Sequence, residues 1–187
     1  MRETENVGMR RRKFLASTSL LLLSAGSLTA SPFSSQSAIR VPELPEELNP
    51  GEAEIVKNSI MARDIDNFWG KGYGCAGTGL SVALRFMKKP EDLVWVAEGF
   101  SGGMMHQDLC GFLTAGIMAM GLHVGSMDIE KKEAKQRCSQ LVNEYWDWWT
   151  STAPLHCSEI REGRTDYNVC HRLGQLAAVK LESLLKA

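Results

Sequence analysis

The sequence contains no Cys-x-x-Cys pair. That removes the close ligand spacing usual for structural zinc and the Cys-x-x-Cys-His signature of covalent c-type haem. There is no strand-like alternation of apolar and polar residues, which argues against a sheet. The glycine-rich stretch Gly99 to Gly103 lacks the Lys-Ser/Thr ending of a phosphate-binding P-loop. No Ser-His-Asp order and no pair of catalytic carboxylates is recognisable. Positive charge is not in excess either: 21 Lys and Arg face 22 Asp and Glu, for a net charge of -1. A chain so balanced has no electrostatic footprint for nucleic acid, and no basic amphipathic helix marks a membrane surface.

What is present begins at the N-terminus. Arg10, Arg11, Arg12 and Lys13 precede Phe14 and Leu15, and an apolar stretch follows that is diluted by Ser and Gly. A charged start, a short apolar middle and small residues beyond it predict a secretory signal. The Arg-Arg pair before Phe-Leu resembles the twin-arginine type, which is an address and not an anchor. The apolar stretch falls short of the ~20 residues a membrane span needs, so no stable anchor is expected after signal removal. No cysteine lies in this region to accept a lipid. Residues 1–38 are therefore read as signal and cleavage region, with cleavage after Ala30 or Ala38, and the protein as exported and periplasmic. Five basic residues and two acidic ones would leave with the signal, making the remainder mildly acidic. About 150 residues then remain, the size of one ordinary domain.

Residues 39–50 are read as a linker, Pro-bearing and without periodicity. Residues 51–187 are read as one all-α domain of about five or six helices. The first runs from Pro50 with Ile55, Ile60, Ile65 and Phe68 as core positions, up to the break at Gly70, Gly72 and Gly74. The second starts near Cys75 and carries Leu80, Val82, Leu84 and Phe86. A third runs from Pro90 to Ala97. Asp108 is expected to cap a fourth, whose residues are apolar nearly all round, which places it at the centre of the fold. Asp128 is expected to open a fifth, to about Thr150. Asp166 is expected to begin the last, through Leu185, with Val169, Leu173, Leu176, Val179 and Leu184 at helical spacing.

All five cysteines follow the linker: Cys75, Cys110, Cys138, Cys157 and Cys170. An oxidising compartment pairs thiols or binds them, and an odd count leaves at least one unpaired. Cys138 falls on a stripe with Leu141, Val142, Tyr145, Trp148 and Trp149, where a cysteine acts as a small hydrophobe; Trp146 is expected to face outward. The other four fall at helix starts or in a loop, positions that favour the thiolate. Their gaps of 35, 47 and 13 residues are by themselves a weak pattern. His106, His156 and His171 lie close to cysteines and are read as surface or supporting groups rather than ligands. His123 reads as a helix-end residue.

The segments Gly72-Tyr73-Gly74-Cys75-Ala76, Gly99-Phe100-Ser101-Gly102-Gly103-Met104 and Leu109-Cys110-Gly111-Phe112-Leu113-Thr114-Ala115-Gly116, with single Cys157 and Cys170, resemble the C_GCAxxG_C_C family of redox-active proteins. The resemblance covers about Ile55 to Leu185. The family's Cys-Gly-Ala-x-x-Gly departs here to Cys110-Gly111-Phe112-Leu113-Thr114-Ala115. The domain is also similar to the non-haem part of split-Soret cytochromes, which are associated with an iron–sulfur cluster. The resemblance implies a cysteine-based redox centre without c-type haem: electron transfer to a redox partner protein through a 2Fe-2S or 4Fe-4S cluster on Cys75, Cys110, Cys157 and Cys170, in a monomer or a homodimer. Two alternatives stand beside it. One is thiol–disulfide exchange without metal, with Cys110 as nucleophile. The other is a binding module stabilised by two disulfides or by a four-thiolate zinc site.

Overall fold

The structure, a computed structural model, describes residues 44–187. The signal and cleavage region and most of the linker lie outside the described residues. The described part is all-helical: α1 (Pro50–Asn58), α2 (Ile60–Phe68), α3 (Cys75–Phe86), α4 (Trp95–Glu98), α5 (Gly111–Val124), α6 (Lys131–Thr152), α7 (Cys157–Ile160) and α8 (Asn168–Leu185). Six of these exceed a single turn, matching the expected number, and no strand occurs among the described residues. No described helix is long and apolar enough to cross a membrane.

The apolar helix is central, as expected. α5 packs on α3, α6 and α8, while α2 lies across α3 and α8. Phe112, Leu113, Ala115, Ala119 and Met120 are almost wholly buried along it. α6 lays Leu141, Tyr145 and Trp149, each four residues on from the last, onto this centre. Tyr145 reaches so deep that its ring lies against Gly116, where any Cβ would overlap it. Its hydroxyl donates to the Phe112 carbonyl at 3.2 Å. Trp149 is equally buried and donates from Nε1 to the Pro154 carbonyl at 2.9 Å. Burying one such aromatic side chain contributes on the order of 3 kcal/mol. Cys138 is half-buried and packs against this core, and Trp146 is half-buried rather than exposed.

The first expected helix is two helices. Ser59 interrupts it, its hydroxyl accepting the Ala62 N–H at 3.0 Å as an N-cap. The new helix starts in a new phase, so its buried residues are Met61, Ala62 and Ile65. Ile55 and Ile60, expected in the core, are 49% and 55% exposed. Ser59 also donates to Glu182 Oε2 at 2.6 Å, and the Met61 N–H donates to the same oxygen at 2.9 Å. α8 thereby closes the start of α2. Burial is the largest influence and acts upward, but the hydrogen bonds from Lys186, Ser59 and the Met61 N–H, with the Lys186 charge, together hold the Glu182 carboxyl below its usual range. α1 opens on a reciprocal capping box between Asn49 and Glu52, and Glu52 pairs with the buried Arg172 of α8.

Other boundaries shift by a few residues. The segment after Pro90 is a tight 3-10 turn (Glu91–Val94) leading into the single turn of α4. α6 starts at Lys131, not Asp128, and α8 at Asn168, where the Asp166 side chain accepts the Asn168 N–H at 3.0 Å. The end of the linker is tied down: Leu44 and Leu48 pack on the core, and Arg164 donates to the Leu44 carbonyl at 2.9 Å.

Candidate functional site: four thiols around one cavity

The four cysteines of the motif are delivered by four different elements. Cys75 is the first residue of α3, Cys157 is the first residue of α7, and Cys170 is the third residue of α8. Cys110 is the N-cap of α5, so Asp108 is not the cap the sequence suggested. The Asp108 side chain instead binds His156 Nδ1 at 2.8 Å. Its carbonyl accepts the Cys157 N–H at 2.7 Å, and the Cys110 N–H donates to the Leu155 carbonyl at 2.8 Å. These two bonds flank an isolated antiparallel pairing of Leu109 with His156. Two cysteines 47 residues apart in sequence are therefore fastened together by main chain.

Cys75 meets Cys110 by a different device. Residue 111 is glycine, and a Cβ there would overlap the Sγ of Cys75. The glycine after Cys110 thus lets α3 and α5 begin against each other. The departure at Phe112 is absorbed in the same way. Its ring fills the space over Gly174 and touches Gly79 and stacks on Trp69, with centroids 5.7 Å apart.

Between α4 and α5 the chain makes a left-handed turn. Gly102, Gly103, Met104 and Met105 all have positive φ (61°, 64°, 54° and 60°), as does Gln107 (59°). The two glycines take this conformation at no steric cost, whereas each of the three larger residues costs roughly 1–2 kcal/mol. The turn aims the Gly102 N–H at Cys75 Sγ, 3.4 Å away. It closes with the Asp108 N–H on the Gly103 carbonyl at 3.0 Å. Glu98, just before it, accepts the Gly74 N–H at 3.3 Å and the Ser101 hydroxyl at 3.4 Å, and Ser101 accepts the Ala76 N–H at 3.2 Å. The Glu98 carboxylate lies directly over Gly77, so a Cβ there would displace it. Glu98 was not singled out from sequence, and Ser101 entered only as one residue of the glycine-rich motif segment. A short polar residue and a carboxylate beside a glycine run carry no distinctive pattern.

Cys75, Cys157 and Cys170 line a cavity of about 400 Å³ together with Trp69, Tyr73, Gly102, Arg161 and Tyr167. Cys110 does not line it and is buried beside Gly111, which packs against the Cys75 Sγ. No disulfide joins any of the five cysteines, which are free thiols among the described residues. Burial, and next the nearby Cys75, pushes the Cys110 thiol far up, against the pull of the Phe112 and Leu113 amides at the open end of α5. The helix-start argument that made Cys110 a favoured nucleophile is therefore outweighed by desolvation. Burial followed by Cys157 and Cys75 raises Cys170 to about 12, with Arg161 and Arg164 opposing. Cys157 is raised by burial and then by Cys75, with Arg161 opposing. The mutual influence of these four groups is itself a sign of their convergence. Cys138 does not line the cavity.

The histidines take supporting positions. His156 pairs with Asp108, and His171 Nε2 binds Asp66 Oδ1 at 2.7 Å beside the Trp69 ring. His106 is exposed in the left-handed turn. His123 lies in the last turn of α5, its pKa lowered by burial and then by Arg137 and Lys89.

No curated protein and no solved structure matches the chain. The family model described as putative redox-active protein, C_GCAxxG_C_C, matches residues 73–184, a span that contains all four converging cysteines. With that match over more than half of its length, the chain belongs to the C_GCAxxG_C_C redox-active protein family.

Proposed function

We propose that this protein is exported and transfers electrons through an iron–sulfur cluster held by Cys75, Cys110, Cys157 and Cys170. The observation that carries the reading is the gathering of four unpaired thiols, three lining one cavity and Cys110 buried near them, with burial disfavouring the anions of Cys110, Cys157 and Cys170. Left bare, Cys110, Cys157 and Cys170 are neutral at pH 7 and poor nucleophiles, which disfavours thiol–disulfide exchange through them. A metal centre beside them supplies the positive charge that makes buried thiolates stable. Four cysteine thiolates are the usual ligand set of 2Fe-2S and 4Fe-4S clusters.

The residues present fit such a group. Three of the thiols open on one cavity of about 400 Å³, and the fourth, Cys110, is buried beside Gly111, the residue that packs on Cys75. Among the described residues no three His, Cys, Asp or Glu side chains gather tightly enough to hold a single ion. A structural zinc site needs that tight tetrahedral set, whereas a cluster has several irons between its ligands and takes sulfurs set further apart. When bound, the cluster supplies one-electron storage. The chain's own residues do the rest. The Gly102 N–H donates toward Cys75 Sγ, a contact of the kind that tunes potential. Trp69 and Tyr73 give the cavity beside the thiols apolar walls, and Phe112 backs Trp69. The main-chain pairing of Leu109 with His156 keeps Cys110 and Cys157 in place as charge comes and goes.

The Arg-Arg-Lys-Phe-Leu-Ala start supports export. The twin-arginine route carries folded proteins, which suits a cofactor inserted before export. Anaerobic purification with reconstitution tests the reading: a brown protein with visible absorbance that bleaches on reduction is expected. A colourless, iron-free product whose four thiols pair into two disulfides under mild oxidant would sink it.

A further inference from the structure

The cavity beside the cysteines carries features that ligation by thiols leaves unused. Trp69, Tyr73 and Tyr167 give it aromatic walls, and Arg161 is the one charged residue in its lining, with no carboxylate opposite. The Arg161 guanidinium lies over the Tyr167 ring, 3.9 Å from its centroid. A guanidinium held by its face keeps its in-plane N–H groups for hydrogen bonding. The charge of Arg161 offsets the thiolates of Cys157 and Cys170 at a distance, but that role needs no directed N–H. The main chain holds the residue in place, its N–H on the Cys157 carbonyl at 3.0 Å and the buried Ile160 beside it.

We infer that this cavity is a binding subsite for a small organic anion with a flat apolar body, whose carboxylate pairs with the Arg161 guanidinium and whose body lies against Trp69, Tyr73 and Tyr167. Arginine and carboxylate match in planar, two-pronged geometry. The volume of about 400 Å³ falls in the range of small-molecule sites. Aromatic walls with a single convergent cation select for a flat anion over a neutral ligand of the same shape, and over a small anion without a body. The inference goes beyond the cluster reading and does not need iron. It adds a metabolite-sized ligand to a redox centre otherwise addressed only by a partner protein.

Calorimetric titration of the full chain with benzoate, benzamide and acetate tests it. Benzoate is expected to bind about 10- to 100-fold more tightly than either of the others, the range that a hydrogen bond to a charged group carries. Arg161→Gln is expected to remove that advantage, Arg161→Lys to restore part of it, and Tyr167→Phe to keep it, with thermal melting curves showing each variant folded. Equal binding of benzoate and benzamide, no benzoate binding at millimolar concentration, or an unchanged affinity in Arg161→Gln overturns the proposal. So does benzoate binding to the metal-free protein that vanishes at full iron load, because the cavity is then the cluster's own room. Failure to take up iron with benzoate binding intact overturns the cluster reading and leaves the subsite standing.

Discussion

Two glycine-to-alanine substitutions on the same helix should have opposite signs. At Gly111 an added Cβ overlaps the Sγ of Cys75 and sits 2.9 Å from the Ala76 nitrogen and 3.2 Å from the Ala76 Cβ. Neither neighbour is the free end of a flexible side chain. Cys75 and Ala76 are the first turn of α3, and yielding means shifting that helix. Overpacking of this kind costs about 1–3 kcal/mol, equivalent to a Tm lower by roughly 3–10 °C in a domain of this size. At Gly121, near the end of α5, nothing lies within 4 Å of the built Cβ and the residue is exposed. Alanine there is the better helix former and should stabilise by about 0.5 kcal/mol. The assay is thermal and urea unfolding of both variants against the parent, with iron content after reconstitution as a second readout. Gly111→Ala should lose both stability and iron, and Gly121→Ala neither. A neutral Gly111→Ala with full iron would refute the claim that glycine is what lets Cys75 and Cys110 meet.

Further outcomes follow from the same geometry. Because Cys110, Cys157 and Cys170 have raised pKa values when folded, the metal-free protein keeps their contribution below about pH 9. It should lose stability as pH rises from there towards 12, a trend that urea midpoints measured across that window would reveal. Glu182 has a lowered pKa, so its contribution is present above the ordinary carboxylate range near 4.5 and fades as pH falls below it. Glu182→Gln should flatten that acid limb. It should also cost about 1–3 kcal/mol at pH 7, since Ser59 and the Met61 N–H lose a charged acceptor. Trp149→Ala should destabilise by about 3–5 kcal/mol in chemical unfolding, with a void left between α6 and the Pro154 segment.

Much of the fold was legible because its long helices obey simple periods. Uniform apolarity marked α5 as central, and the spacing of Leu141, Tyr145 and Trp149 marked the buried side of α6. The reading failed where a short polar residue resets the phase, as Ser59 does, so that Ile55 and Ile60 face water. Nor could the left-handed turn at Gly102 to Met105 be anticipated, since Met104, Met105 and Gln107 adopt positive φ against their own preference. For the site, the motif pointed to four cysteines that spacing alone would have left scattered. What joins them is long-range: one pairing of Leu109 with His156 and one close approach through Gly111. Arg161 and Tyr167 sat in a segment read only as loop and helix start, and their stacked contact exists only in three dimensions. The expectation for Cys110 erred by weighing the helix end without the cost of burial.

The central claim is that four particular thiols form one centre. Iron and acid-labile sulfide should be measured in protein reconstituted anaerobically, in the parent and in single Cys→Ser variants at 75, 110, 138, 157 and 170. The account predicts stoichiometric iron and sulfide in the parent and in Cys138→Ser, and a marked loss in each of the other four. Iron that persists when Cys75, Cys110, Cys157 or Cys170 is replaced, or that depends on Cys138, would contradict it.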